Sequence, residues 1–175
     1  MAIYTTEMLK ARLNGGAKTD KFGVMFRNPQ GAPELGFKDE DYCLITGFAF
    51  PSRRVGTIDA WVQGRKLVLP GDTDFGNEWR VTLYNPLNHD MRQKIMDWQK
   101  KIDDYESNTH ADMLWTLTTE AVIFQLNGAG EKTAQYVVKN IFPKEVGEVE
   151  VKGSEQNQIQ SFTATFAMSS MEIIK

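Results

Sequence analysis

The amino-acid sequence predicts a mainly β protein of the α+β class: a β-barrel of two crossed antiparallel sheets with one amphipathic helix flanking it. Short stretches that alternate between apolar and polar residues recur along the chain, and turn-forming residues separate them. One central stretch has the longer periodicity of a helix. Many short strands around one substantial helix favour a closed or nearly closed barrel, with the helix covering one opening.

The N-terminal part is predicted to contain a short helix and two strands. Residues 7–13 are followed by a pair of glycines, which favour the end of a helix. Residues 22–26 alternate as a strand does, and residues 42–50 give a second strand signal. Residues 30–40 lie between them and are rich in turn formers and charge, so we expect a loop there.

An apolar hairpin is predicted next, with strands at residues 53–61 and 65–69 and a turn at Gln63-Gly64. Exposed strand edges that carry large apolar residues invite pairing with another chain. The hairpin therefore gives the candidate inter-subunit contacts, which are Ile58, Trp61, Leu67, Val68, Leu69 and Asp72. The alternative that these apolar residues belong to the core of the monomer stays open at this point.

A strand followed by an amphipathic helix occupies the middle of the chain. Trp79, Val81 and Leu83 alternate with polar neighbours over residues 78–84, which predicts a strand with one buried face. Asn85-Pro86 then ends the strand, because proline lacks the N–H that a ladder needs. The following helix has one apolar stripe, formed by Met91, Ile95, Trp98, Ile102 and Tyr105.

Four further strands are predicted in the C-terminal half, at residues 121–126, 133–142, 147–152 and 160–168. The last alternates most regularly: Phe162, Ala164, Phe166 and Met168 oppose Ser161, Thr163, Thr165 and Ala167. In residues 147–152, Val149 and Val151 oppose Glu148, Glu150 and Lys152. The two strands thus predict two polar rows, each opposite an apolar row.

Length and composition indicate one ordinary globular domain that covers residues 1–175. No apolar run approaches the ~20 residues of a membrane-spanning helix, so we expect no membrane insertion. The first residues lack the features of a signal peptide, and we expect synthesis and folding in a reducing cytoplasm. Cys43, the single cysteine, lies in an apolar run and is predicted to be a buried structural residue.

The sequence predicts neither an enzyme nor a cofactor-binding protein. Residues 127–133 resemble a phosphate loop, but Glu131 interrupts the required Gly-Lys succession, and a hairpin turn explains the segment better. His89 and Asp90 are adjacent at a helix start, where neighbouring side chains point apart. Two histidines and one cysteine give no metal-ligand spacing, and Asp72 with Asp74 is ordinary turn chemistry.

Two segments, residues 69–99 and 141–168, resemble the tail tube proteins of contractile-tailed bacteriophages. The resemblance is specific from Gly71 to the C-terminus, and toward the N-terminus it is limited to the order of elements. It is carried by a Gly-Asp turn before an aromatic residue, a Trp-x-Val-Thr strand, and a polar run that enters a helix ending in Asp-Trp-Gln. The residues concerned are Gly71, Asp72, Phe75, Trp79, Val81, Thr82, His89, Asp90, Arg92, Gln93, Asp97, Trp98 and Gln99.

This resemblance implies a barrel-plus-helix fold, shared with the Hcp tube of type VI secretion systems, and a structural role in a polymer. In that family six subunits form a ring, their strands join into one inner barrel, and the rings stack inside a contractile sheath. The implied partners are further copies of the chain, the tail sheath protein, the baseplate hub, the tape measure protein and, transiently, DNA. The implied location is the virion tail, assembled in the bacterial host cytoplasm.

Two alternative functions stay open from the sequence. One is the tube of a phage-derived contractile injection system, which carries protein cargo. The other is a monomeric β-barrel module that binds a small ligand. A monomeric module would differ from both tube hypotheses in its state of assembly.

The two polar rows are the candidate lining of a channel. The candidate residues are Glu148, Glu150, Ser161, Thr163 and Thr165. Such a wall would be uncharged to acidic, and it would leave DNA hydrated because it offers no cations to phosphate. The formal net charge of −3 agrees with this expectation, although mild acidity is also ordinary for soluble proteins.

Overall fold

The computed structural model describes residues 6–13, 17–149, 151 and 158–174. Two α-helices, eleven strands and three short 3₁₀ helices lie in these ranges. In chain order they are α1 (Thr6–Leu13), β1 (Phe22–Phe26), 3₁₀ helices at Pro33–Leu35 and Asp39–Leu44, β2 (Ile45–Phe48), β3 (Arg54–Val62), β4 (Arg65–Asp74), β5 (Glu78–Tyr84), α2 (Asp90–Ile102), β6 (Asp103–Asp104), β7 (Thr109–His110), a 3₁₀ helix at Leu114–Leu117, β8 (Thr119–Leu126), β9 (Lys132–Val146), β10 (Ser161–Ala167) and β11 (Ser170–Ile174).

Two antiparallel sheets form the body of the molecule, and they share the long strand β9. The N-terminal half of β9 pairs with β8 and β11, and β8 pairs with β1. The C-terminal half of β9 pairs with β10, and the order continues through β5 to β2. The predicted mainly β architecture of two antiparallel sheets with a flanking helix is therefore confirmed.

The path of strands ends at β1 on one side and at β2 on the other, and within the described residues no ladder joins these two strands. Their aromatic side chains nevertheless meet across the gap. The ring centroids of Phe22 and Phe48 are 5.0 Å apart in an edge-to-face arrangement. The sheets thus approach closure through side chains, and a hydrogen-bonded closed barrel is not confirmed.

The core lies between the two sheets and is rich in aromatic rings. The apolar rows of β5 and β10 point into it, because Trp79, Val81, Leu83, Phe162, Ala164 and Phe166 are all buried. Phe26 on β1 packs against Phe166 with a centroid distance of 5.1 Å. The alternation predicted for these two strands is confirmed.

Helix α2 packs its apolar stripe against this core. Met91, Ile95 and Trp98 are fully buried, and the Trp98 indole donates its Nε1–H to the carbonyl oxygen of Leu117 at 2.8 Å. The predicted stripe is wrong for Tyr105, which is 83% exposed. The helix ends at Ile102, and Asp103 already has extended backbone angles, so the helical spacing does not reach Tyr105.

The strand predicted at residues 147–152 is wrong. Strand β9 continues through Pro143 to Val146, where it ends, and residues 147–149 lie outside any strand. A register shift between Thr165 and Phe166 accommodates the proline opposite β10. Glu150 and Lys152 lie outside the described residues, so their predicted orientation is not addressed by the structure.

Cys43 is exposed rather than buried, so that prediction is also wrong. Residues 39–44 form a 3₁₀ helix, so the strand predicted at residues 42–50 begins only at Ile45. The tighter winding of this helix turns the Cys43 thiol outward, and its Sγ contacts the carbonyl oxygen of Glu40 at 2.8 Å. Asp41 and Ile45 are the buried residues of this segment.

Candidate assembly surfaces

Strands β3 and β4 form a separate two-stranded sheet, which we call the arm (residues 54–74). It lies between β2 and β5 in the chain and pairs with neither of them. Apart from Ala60 and Gly71, its strand residues are exposed. A lone two-stranded hairpin is only marginally stable in water, so the arm needs a packing partner, and the described part of the chain does not supply one.

One face of the arm is apolar along its length. The register pairs Ile58 with Leu69 and Ala60 with Leu67, and these four side chains share a face with Val62. The exposed fraction of the large ones lies between 41% and 58%. A contiguous exposed apolar surface of this kind marks an interaction site.

The other face of the arm is mixed. Trp61 is 71% exposed, and Val68 lies on the same face opposite Asp59. Asp59 and Lys66 form an ion pair at 2.8 Å. The interpretation that the six hairpin candidates belong to the core of the monomer is therefore excluded, because Ile58, Trp61, Leu67, Val68, Leu69 and Asp72 are all exposed.

Glycines shape the two ends of the arm. At the tip, Gln63 and Gly64 both have positive φ, as a tight hairpin turn requires, which confirms the predicted turn. At the base, the register shifts between Val55 and Thr57, and a Cβ atom on Gly71 would lie 3.1 Å from the carbonyl carbon of Gly56. Only glycine allows the two backbones to approach this closely.

A second surface is the polar face of the sheet formed by β2, β5, β10 and β9. Ser161 pairs with Tyr84 and Thr163 with Thr82, so the polar row of β10 continues onto β5. The hydroxyl oxygens of Thr82 and Thr163 are 3.4 Å apart. Thr165 is only 6% exposed, because it sits in the middle of the sheet between its register partners on β5 and β9, and we leave it out of the candidate lining.

One carboxylate on this polar face contacts two cations, so the three groups together carry a net charge of +1. Glu78 accepts a hydrogen bond from the Lys144 ammonium group and lies 3.7 Å from the Arg80 guanidinium. The hydrogen bond from Lys144 is the main cause that lowers the pKa of Glu78 below its ordinary value, and the charge of Arg80 adds to it. Sequence reasoning missed these three residues. Glu78 and Arg80 alternate with buried residues on β5, and this alternation could have identified them. Lys144 could not be identified in this way, because β9 was not predicted to continue beyond residue 142.

Glu148 lies just beyond the end of β9 and is exposed. The backbone there is fixed by Gly147, whose N–H donates to the carbonyl oxygen of Thr163 at 2.8 Å. A Cβ atom on Gly147 would lie 2.6 Å from that oxygen. Glu148 therefore stands near the polar row of β10, and the predicted lining candidate Glu150 lies outside the described residues.

The candidate catalytic groups do not come together. Asn127 and Glu131 close a hairpin turn between β8 and β9, with the Asn127 N–H bonded to the Glu131 carbonyl oxygen at 2.9 Å, as predicted for this segment. The His89 Nδ1 lies 2.8 Å from the Asn85 side-chain amide, and His89 precedes helix α2.

Among the described residues, no group of three acidic, histidine or cysteine side chains is placed to hold a metal ion. None of the described helices is both long enough and apolar enough to cross a membrane.

An aromatic-cored pair of sheets with one packed helix and a projecting apolar arm defines a self-assembling structural protein. Two solved structures share this fold. The chain superposes with a TM-score of 0.66 on the sheath/tube terminator of an extracellular contractile injection system, covering 90% of this chain and 96% of that one at 15% identity. The TM-score is 0.63 for the sheath–tube complex of such a system, with coverage of 98% and 99% at 15% identity.

A sequence relative gives the family. The chain is 30% identical over 125 residues to tail tube protein gp19 of Enterobacteria phage T4, and the match spans 71% of this chain and 76% of the relative. No family model matches the chain. The chain belongs to the tail tube protein family of contractile-tailed phages. Its members are structural proteins and not enzymes, and both expectations are thereby confirmed.

Proposed function

We propose that the chain forms six-membered rings that stack into a hollow tube inside a contractile sheath, through which DNA leaves at ejection. The arm is the observation that carries this proposal. A two-stranded sheet whose apolar face no other described residue covers is stabilised when another subunit covers it.

The position of the arm supports a repeating contact. A closed ring needs a heterologous interface that returns to itself, and a stack of rings needs a second head-to-tail surface. Both faces of the arm carry exposed side chains, so the arm is accessible to another subunit. Ile58, Leu67, Leu69, Trp61 and Val68 are the proposed contact residues, together with Asp72 near its base.

The polar face of β5, β10 and β9 is the proposed wall of the channel. It carries Ser161 and Thr163, and Glu148 lies at its edge. Among its charged groups, the Glu78 carboxylate contacts the cations of both Arg80 and Lys144. A hydroxyl-rich wall whose cations contact a carboxylate offers phosphate few free cations, and a polyanion can therefore slide along it.

The proposed partners follow from the family. The tail sheath protein would surround the tube, the baseplate hub would begin it, and the tape measure protein would occupy it before DNA. A chain of the sheath–tube complex shares the fold of this chain, which supports the sheath as a partner. Synthesis in the host cytoplasm and residence in the virion tail complete the proposal.

A phage tail is favoured over an injection system that carries protein cargo. The relative at 30% identity belongs to a phage, whereas the injection-system proteins are similar in fold at 15% identity. Membership of the tail tube protein family also favours a tube subunit over a monomeric ligand-binding module.

Electron microscopy of the purified protein, combined with light scattering, tests this proposal. We expect rings of six subunits and stacked rings that lengthen with protein concentration. A species that stays monomeric at all concentrations, and in the presence of its baseplate hub, would overturn the proposal.

A further inference from the structure

The sheet that carries the polar face has two free edges. Strand β2 ends the path of strands, and among the described strands it pairs only with β5. On the other side, β8 accompanies β9 only as far as Ile141, which faces Thr119. The second edge of residues 142–146 therefore has no partner strand in the described part of the chain. Free edges on both sides of one sheet allow identical subunits to pair in a closed ring.

Strand β2 is held only weakly by its own ladder. Its pairing with β5 aligns three residues, Ile45, Gly47 and Phe48, and the register shifts between the first two. A short strand with such an irregularity makes few backbone hydrogen bonds. The segment that leads into β2 must therefore determine where the free edge of this strand lies.

That segment is the 3₁₀ helix Asp39–Leu44, and Asp41 ties it to helix α2. Asp41 Oδ2 accepts hydrogen bonds from the Lys38 N–H at 2.9 Å and from the Lys94 ammonium group at 2.8 Å. Only 11% of the Asp41 side chain and 16% of the Lys94 side chain are exposed. Salt screens a pair at this depth much less than a pair on the surface. The ion pair thus gives the segment a fixed point on α2.

Lys94 is itself well positioned. The next residue on α2, Ile95, is fully buried in the core, and Asp90 lies one turn earlier with its carboxylate 3.0 Å from the Lys94 ammonium group. Burial opposes the charge of Lys94, but the hydrogen bonds with Asp41 and Asp90 outweigh it and raise the pKa of Lys94 above its ordinary value. A charged ammonium group on a core-packed helix is therefore available to hold Asp41.

We propose that the Asp41–Lys94 ion pair positions β2 for pairing with residues 142–146 of the next subunit in the ring. The inference rests on the proposed ring. Asp41 and Lys94 are positioning residues, because they act on the next subunit through β2. Loss of the pair should leave the core between the sheets intact and should allow the free edge of β2 to move.

Removing both charges at once tests this role. Asp41→Asn keeps an acceptor for the Lys38 N–H, and Lys94→Met keeps most of the side-chain length. Replacing both members of a buried pair is often close to neutral for folding, whereas removing one leaves a buried charge. The double variant should therefore unfold near the parental temperature.

Hydrogen exchange and sedimentation measure the effect on β2 and on assembly. Below the assembly concentration, the β2 amides of the double variant should exchange about tenfold faster than in the parent, while the amides of β5 and β10 should be unchanged. The protein concentration at which rings form should rise about tenfold. Glu34→Gln with Lys101→Met is the matched control, because this exposed ion pair joins α2 to the other 3₁₀ helix, Pro33–Leu35, and should alter neither quantity.

Separate outcomes decide the inference and the proposed function. A double variant with parental β2 exchange and parental ring formation would overturn the inference and leave the ring intact. Faster exchange throughout the subunit would overturn it as well, since the pair would then act on folding alone. A parent that forms no rings would overturn the proposed function and the inference with it.

A single variant decides the matter if the double variant does not fold. Asp41→Asn alone leaves Lys94 paired with Asp90, so no ammonium group is buried without a partner. This variant should also exchange faster in β2 and form rings only at higher concentration. Folded Asp41→Asn protein that forms rings at the parental concentration would overturn the inference.

Discussion

The guanidinium of Arg92 on α2 contacts both Phe162 on β10 and Gly147, the residue that follows β9. Its Cζ lies 5.6 Å from the centre of the Phe162 ring, and its Nη1 donates to the Gly147 carbonyl oxygen at 2.8 Å. Arg92 is on α2 and Phe162 is on β10, so one side chain positions the helix, the strand and the chain that leaves β9. This contact fixes Glu148 near the polar face.

Replacing Arg92 by Ala should lower the free energy of unfolding by about 1–3 kcal/mol, from the lost hydrogen bond and the lost cation–π contact. Urea denaturation measures this. Lys101→Ala is the control, because Lys101 forms only an exposed ion pair with Glu34 and should cost under about 1 kcal/mol. Equal costs for the two variants would contradict a structural role for Arg92.

Trp98→Ala should destabilise the subunit by roughly 3–5 kcal/mol, the usual cost of emptying a buried aromatic site. Trp98→Phe keeps most of the volume but loses the N–H donor to Leu117, and we expect a cost of about 1–3 kcal/mol from the unpaired carbonyl. Thermal unfolding of both variants is the measurement. A Trp98→Ala protein that unfolds at the parental temperature would show that α2 is not part of the core.

Leu67→Glu with Leu69→Glu should abolish tubes and leave a folded subunit, because charge at the centre of an apolar interface is strongly unfavourable. Among the described elements the arm packs extensively only within itself, so the unfolding temperature should change little. Met113→Glu with Leu114→Glu is a matched control on another exposed apolar segment. An unfolded arm variant would place these leucines in the core of the monomer instead.

Glu78→Gln should increase the affinity of tubes for DNA and make ejection slower and more dependent on salt. The substitution releases Lys144 and Arg80, and each cation that contacts phosphate adds to the salt dependence of binding. Glu172→Gln, which releases Lys139 from an ion pair on β9 and β11, is the control. If both variants bind DNA alike, with no nuclease protection, the polar face lies outside the channel.

Acid should have the same effect as this substitution. Because the pKa of Glu78 is lowered by Lys144 and then Arg80, its carboxylate stays ionised to a lower pH than an ordinary glutamate. The carboxylate is therefore fully ionised above the ordinary glutamate range, and its pairing with the two cations is lost as the pH falls through the lowered pKa. Wild-type tubes should gain DNA affinity only in that acidic range, and Glu78→Gln tubes should show no such rise.

One-sided burial made much of the fold predictable. Trp79, Val81 and Leu83 alternate because a single face of β5 meets the core, and Gln63-Gly64 specifies its turn by local backbone angles. The strand predicted at residues 133–142 stops just before Pro143, yet a bulge in the pairing with β10 keeps this proline within β9, and that tertiary arrangement has no local sequence signal.

The assembly surfaces were harder to predict for a different reason. An apolar row has the same pattern whether its own core or another subunit buries it, so Leu67 and Leu69 could be assigned only once the arm was seen to be exposed. Thr165 shows the converse, since a polar residue in a regular alternation is buried by its neighbours in the sheet.

A three-dimensional reconstruction of assembled tubes tests the central claim most directly. We expect Ser161 and Thr163 to face the channel and another subunit to cover the apolar face of each arm. Tubes in which these hydroxyls face outward, or in which the apolar face of the arm contacts no other subunit, would contradict this claim.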